Sequence, residues 1–436
     1  MINPNSMVYA QERVWVAPFA PRPISAASAY DQPPSLGRKC VELFYYLSVV
    51  NSVFVYKTGA AMLPYFGGAL VVMAGAVCLT IMLAQRERIP LTVWCAVLIN
   101  VFATLSQGIR GEIPIIGEGL NQLFLWACQS LVICYLVRNP GTQKRLLLFF
   151  AIVLVFCVYF SGELQGGSSG RRLRLERYGV GSSFGNANDL AYMVGTFAVA
   201  VLFWSLRSIR SVRPLLWALA LVLLVITVRT VSRGAITAVG CGLAMLAVAI
   251  MLARGARIGG IVMVVFGIIL LSQLSFLLAD PMEFLKARMK GDGSSRVRLA
   301  VYNEATLEQL AETYLFGQGI AGTKSVVTGV TPHNTYLYTQ FAYGGLAAVS
   351  YLAWMLAMAI RTTRVCFRSE LRMDLRLEVV ALFGMTLMSH LLSNQGFVFL
   401  SSMYAVGLIE KYAVRLPRDV WVGQAGWPDR QSAGLG

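Results

Sequence analysis

Charge is scarce in this 436-residue chain: 13% of residues are charged and 57% are hydrophobic. A soluble protein of this length carries about twice that charged fraction, so a water-soluble globular fold is excluded. Acids are scarcer than bases, 21 against 37, which leaves a formal net charge of +16. Histidine is nearly absent, with only two copies, His333 and His390. The eight cysteines form no CxxC pair, and seven (Cys78, Cys95, Cys128, Cys134, Cys157, Cys241 and Cys366) fall in or beside apolar runs. Neither a zinc site nor a loop disulfide is indicated. No carboxylate cluster at metal-ligand spacing and no DxD pair occurs outside those runs, which disfavours metal-dependent transfer. The N-terminal stretch lacks a charged-then-apolar signal pattern, and no internal repeat is visible.

What the chain has is apolar length. Runs of about 17–25 residues recur, enough to cross a ~30 Å hydrocarbon core as helices. They cover 41–57, 64–84, 89–109, 119–137, 145–162, 187–206, 214–229, 233–253, 257–279, 335–360, 376–395 and 397–413. The expected fold is an all-α polytopic membrane protein with about twelve transmembrane helices; the last two runs could also be one long kinked span. Residues 1–40 read as a polar N-terminal tail and 414–436 as a C-terminal one. Nine spans fill 41–279, a large polar loop occupies 280–334, and the remaining spans lie in 335–413.

Basic residues orient the chain. Placing alternate loops on two sides puts 23 of the 37 Lys and Arg on the side of the N-terminus. Short basic loops mark the cytoplasmic face, so both termini are expected there. Ten of the remaining basic residues concentrate in two outer loops, 163–186 and 280–334. Such an excess suits an anionic partner at the outer face, and contact with anionic lipid headgroups is the plainer reading.

The outer loops carry the candidate chemistry. After the Gly-Ser run 166–170, flexible by composition, Arg171, Arg172, Arg174 and Arg177 follow within seven residues. They make either a solvated strip or an entry surface for an acidic or phosphorylated sugar. Asn186, Asn188 and Asp189 stand where a loop becomes a helix, where one of them can cap free N–H groups. Three exceed what a cap needs, so a supporting role toward an arginine or a sugar hydroxyl is expected. Arg229 and Arg233 share a face if the helix is continuous between them; if Ser232 caps the next span, both sit at the outer interface. Arg229 reads as a headgroup anchor and Arg233 as an inward group whose partner is a pyrophosphate.

In the long loop, Ser294 or Ser295 can cap a helix from Arg296 to about Glu312, with Arg298 in the same first turns. A helix start plus a planar guanidinium is a good phosphate grip. Gly317, Gly319 and Gly322 spell GxGxxG, but no βαβ unit surrounds them, so a tight turn is expected rather than a nucleotide site. His333, after Pro332 and before Asn334, stands at a helix start facing out. It is either a structural histidine or a group able to move a proton near neutral pH. His390, deep in a late run, reads as a packing or hydrogen-bonding residue.

The ordered set SFGNANDLA, SRGA, SSRVRLAVYNEA, LFGQGIAG and PHNTYLYTQFAYGG, over roughly residues 180–360, resembles the bacterial O-antigen ligase and polymerase family. That resemblance implies a polytopic inner-membrane glycosyltransferase, GT-C-like, that uses undecaprenyl-pyrophosphate-linked glycans without metal, nucleotide or other cofactor. It implies an active site facing the periplasm. Arg233 and Arg296 would be the pyrophosphate-binding arginines and His333 the catalytic residue. Beside what the resemblance implies, the loop residues Arg298, Asn186, Asn188, Asp189, Asn334, Arg171 and Arg172 are expected to contact substrate. A ligase would join O-antigen to lipid A–core; a polymerase would use a second lipid-linked glycan as acceptor. The sequence departs from many relatives at Ala342, where an acid is common. A transporter is the reading from another class, but the candidate residues gather at one face and no repeated half appears.

Overall fold

Turns with proline set the starts of several helices. Proline lacks the N–H that a first helical turn leaves unused, and its φ is already helical. Pro90 immediately precedes one helix, Pro140 opens another, and Pro214 lies in the first turn of a third. The computed structural model describes residues 35–58, 63–109, 119–167, 170–175, 187–230, 232–254, 312–319, 334–392 and 400–413. Among these residues are twelve helices and one hairpin.

In chain order they are α1 (Leu36–Thr58), α2 (Leu63–Ala84), α3 (Leu91–Ile109), α4 (Gly119–Val137) and α5 (Pro140–Ser161). The strands β1 (Gly162–Gly167) and β2 (Gly170–Leu175) follow, then α6 (Ala187–Arg207), α7 (Arg213–Arg229) and α8 (Arg233–Arg254). The last four are α9 (Thr335–Tyr343), α10 (Gly345–Cys366), α11 (Met373–Leu392) and α12 (Leu400–Ala413). The expected run 257–279, the helix expected over 296–312 apart from its last residue, residues 1–34 of the N-terminal tail and the C-terminal tail lie outside the described residues. Residues 36–40, expected to belong to the N-terminal tail, are instead the first turn of α1.

Six stretches, within α2, α3, α5, α6, α8 and α10, are long and apolar enough to cross a bilayer. Their surface is inside-out relative to a soluble protein. On α3 the exposed stripe is Leu91, Trp94, Leu98, Val101, Leu105 and Ile109, while Thr92, Ser106 and Gln107 are buried. That pattern suits lipid outside and protein inside. The chain is an α-helical multi-pass membrane protein. α6 is its central helix: 83% of its apolar window is buried, against less than half for the other five.

Polar contacts gather the helix ends that the basic loops assign to one side. Arg145 grips Glu42 with two hydrogen bonds of 2.8 Å, joining the starts of α5 and α1. Arg138 pairs with Glu87. Glu410, at the end of α12, accepts from Thr92 at 2.8 Å and pairs with Arg361 at 2.6 Å. Lys411 donates to Gln143 at 2.6 Å. Arg207, at the end of α6, pairs with Glu378 on α11 at 2.7 Å, with Asp374 at 3.7 Å. Arg368, just before α11, donates to the Tyr412 carbonyl at 2.6 Å. The start of α11 thus lies beside the end of α12, so these are two antiparallel helices and not one kinked span.

Glu378 has no exposed side-chain surface. Removing one partner of such a pair strands a buried charge, which costs about 3–5 kcal/mol. Arg207→Leu should therefore lower the detergent melting temperature sharply, and the double variant Arg207→Leu/Glu378→Leu should recover most of the loss. A double variant no more stable than the single one would show the two charges to be uncoupled.

The run 335–360, expected as one span, is broken. α9 ends at Tyr343 and α10 starts at Gly345, with Gly344 between them at φ 89°, ψ 176°. α10 alone, at 22 residues, is ~33 Å long and spans by itself. The break frees the carbonyls of Phe341 and Ala342, which an unbroken helix would use four residues later. Two N–H groups from the 312–319 segment take them up: Gln318 donates to Phe341 O at 2.5 Å and Gly319 to Ala342 O at 3.1 Å. Gln340 Nε2 donates to Thr313 O at 2.7 Å, and Gly317 N–H donates to Ser106 Oγ at 2.9 Å. A Cβ on Gly317 would run into the Ala342 and Tyr343 backbone, and one on Gly345 into Tyr314 O. The glycines of LFGQG and FAYGG are therefore where two backbones touch. Gly319, at φ 73°, is also a turn residue, as expected of it.

Candidate functional site

The first turns of the motif-bearing helices lie toward the end of the bundle opposite the ion pairs. Close packing fixes their directions. Gly195 on α6 lies against Val239 of α8, and Gly242 of α8 lies against Val199 of α6 and Met385 of α11. Moving forward along α6 therefore moves forward along α8: the two helices are parallel and begin at the same end. α11 runs the other way, since its early Glu378 meets Arg207, so it finishes there. α9 packs on α3, α10 and α11.

The start of α9 does not continue the line of α10. A straight helix would leave Thr335 and Tyr351 ~24 Å apart, at 1.5 Å per residue. Instead the Thr335 side chain lies within hydrogen-bonding reach of the Tyr351 phenol. α9 thus folds back along α10, bringing its amino end beside the second turn of that helix. Every residue of α9 but the half-exposed Tyr336 is buried, including Thr335, Thr339 and Gln340. Interrupted helix backbone is tolerated at membrane depth where protein surrounds it in this way.

Asn334 caps α9. Its Oδ1 accepts from the N–H groups of Tyr336 at 2.9 Å and Leu337 at 3.2 Å. The expected substrate contact of Asn334 is thereby narrowed: the carboxamide oxygen is committed to backbone, and the NH2 group is what the cap does not use.

Asp189 lies in the first turn of α6 and is buried, and Asn188 beside it is half-buried. A carboxylate there is favoured by the positive end of the helix dipole. Arg229 ends α7 and Arg233 begins α8, with Thr230 and Ser232 between. The two arginines belong to different helices, so a single continuous helix face does not join them. The Ile236 N–H donates to Ser232 O at 2.9 Å, which makes Ser232 the residue from which α8 starts.

The outer loop expected over 163–186, with a Gly-Ser run 166–170 flexible by composition, includes the antiparallel hairpin of β1 and β2. Arg171 stands opposite Gly166, Arg172 opposite Gln165 and Arg174 opposite Glu163. The hairpin packs on α5, α6 and α7. The expected fold is all-α, and this hairpin is its one β addition among the described residues. Asn186, Arg296, Arg298 and His333 lie outside the described residues.

A cleft of about 260 Å³ opens beside the broken helix, lined by Ile109, Glu312, Tyr314, Leu315 and Phe316. None of the candidate residues lines it. Sequence reasoning missed the polar side chains around α9: Gln340, Thr335, Tyr351, and Ser106, which accepts from Gly317 of the bracing segment. The signal available was the Gly-Gly pair with only nine residues between it and Asn334, too few for a helix that spans. The sequence matches no protein-family model and no curated protein.

Proposed function

We propose that this protein is a glycosyltransferase that moves a glycan from a polyprenyl pyrophosphate to a glycolipid acceptor at the outer face of a bacterial inner membrane. The specific reading is O-antigen ligation to lipid A–core, without a metal ion. One observation carries it. Of the five motifs that resemble the O-antigen ligase and polymerase family, the four that reach the described residues start α6, start α8, brace the broken helix and form α9, and those elements lie toward one end of the bundle.

The chemistry matches the residue types. Outside the cytoplasm the driving energy must already be stored in the donor, here in the sugar–pyrophosphate bond. Arg233 and Arg296 would offset the charge that develops on the departing pyrophosphate, the electrostatic contribution that usually dominates such steps. His333 would take the proton of the acceptor hydroxyl as its oxygen bonds to the anomeric carbon and the carbon–phosphate oxygen bond breaks. Attack opposite the leaving group inverts configuration and releases polyprenyl pyrophosphate. Both termini and the ion-paired end then face the cytoplasm, as short basic loops favour.

Reconstitution tests the reading. The purified protein in vesicles, given lipid-linked O-antigen, lipid A–core and a chelator, should produce the joined glycolipid. Growth of the lipid-linked glycan itself, with lipid A–core untouched, would reassign the protein as a polymerase. Passage of the lipid across the bilayer with no new glycosidic bond would make it a transporter.

A further inference from the structure

Three buried polar side chains from three helices line up beneath the start of α9. Thr335, Tyr351 and His390 are 0%, 3% and 2% exposed. The Tyr351 phenol oxygen lies 2.6 Å from His390 Nδ1, with the Thr335 side chain within reach of the same oxygen. Aromatic packing fixes the imidazole. Tyr351 stacks on it at 5.7 Å and 21°, and Trp354 lies 5.2 Å away. A leucine or phenylalanine would fill this space without any polar group to satisfy. The phenol and His390 Nδ1 satisfy each other, which offsets part of the cost of burying them, while His390 Nε2 is buried with no partner among the described residues.

The position of this chain gives it a task. α9 is nine residues long and interrupted at Gly344, so α10 does not dictate where its far end sits. Its carboxyl end is tied through Gln318, Gly319 and the Gln340–Thr313 bond. Nothing in that set reaches its amino end, where Thr335 directly follows the capping Asn334. We propose that Thr335, Tyr351 and His390 form a tether that fixes the amino end of α9, making Tyr351 and His390 positioning residues for the site. The catalytic part of this inference rests on the transferase reading, in which the residue before Asn334 moves the proton; the tether itself does not.

Two readouts test it on the full-length protein. In Tyr351→Phe the ring stays and the phenol oxygen goes. Amide hydrogen exchange at Tyr336 and Leu337 should accelerate at least tenfold, while α10 and α11 exchange as in the wild type. Turnover should fall about 10- to 100-fold, the scale of a small misplacement of reacting groups, with KM for the lipid-linked donor unchanged. His390→Leu should behave alike, whereas His390→Gln, which keeps an acceptor for the phenol, should restore most of both. Wild-type exchange in Tyr351→Phe would overturn the tether. Faster exchange throughout α10 and α11 would overturn it too, by reducing the three residues to ordinary core packing. A loosened α9 with full turnover would remove the positioning role. If the wild-type protein transfers no glycan, the transferase reading fails, and the exchange experiment still decides the tether.

Discussion

His333→Ala should lose nearly all glycan transfer while still binding the lipid-linked donor. The proposed division of labour separates the two: arginines hold the pyrophosphate, and the imidazole only accepts a proton from the acceptor. Loss of a general base costs about 10²–10⁴ in rate. The pH profile adds a second measurement. Only neutral imidazole can accept a proton, so wild-type transfer should decline as acidification protonates the ring, an event that falls near pH ~6.5 for an unperturbed histidine. His333→Ala, lacking the group, should lose that limb of the profile. A well-inserted His333→Ala protein that transfers at the wild-type rate would remove the proposed base.

Arg296→Lys and Arg233→Lys should each reduce transfer by about 10²–10³, the usual effect of deleting one transition-state contact. Lysine keeps the charge but loses the planar fork that binds two oxygens at once. For Arg233 the placement is favourable: it opens α8, beside the start of α6, where backbone N–H groups also point outward. Donor binding should weaken in these variants, unlike in His333→Ala. Near-normal transfer in both, with normal insertion, would leave the arginines as headgroup anchors. Arg171→Ala should matter much less, because Arg172 and Arg174 share its strand.

Helix positions were largely legible in the sequence because lipid imposes a single rule on length and apolarity. The run 187–206 became α6, 214–229 became α7, and 233–253 became α8, with ends shifted by a residue or so. Charge was equally informative. Arg145, Arg207 and Arg361, placed on one side by loop alternation, turn out to hold Glu42, Glu378 and Glu410 at one end of the bundle. What hydropathy could not show was the break inside 335–360. Thr335–Tyr343 and Gly345–Cys366 are both apolar enough to read as one run, and a change of direction leaves no mark in hydropathy, only the Gly344–Gly345 pair. The role of Gly317 was also hidden, since a glycine needed for a turn and one needed for close approach look alike until the neighbouring backbone is known. Of the candidate site, the chain reads out which residue types and which loops are involved. How Asn334 divides its amide between cap and ligand depended on three-dimensional context.

The fold-back at Gly344 bears on how the protein is made. A helix of nine residues is ~14 Å long, about half the hydrocarbon core, so α9 cannot be threaded across a bilayer by itself. Insertion machinery that responds to hydrophobic length would recognise α10. The polar groups α9 leaves open find their partners in Thr313, Gln318 and Gly319, and that 312–319 segment is itself held, through the Gly317 N–H, by Ser106. Of these, Ser106 is carried by α3, a span inserted long before. It follows that biogenesis separates into two acts: spans enter the membrane first, and α9 docks afterwards into a bundle that already exists. The face that carries the candidate site would then be the last part of the molecule to mature, and under the proposed function a newly inserted chain would stay inactive until that docking is complete.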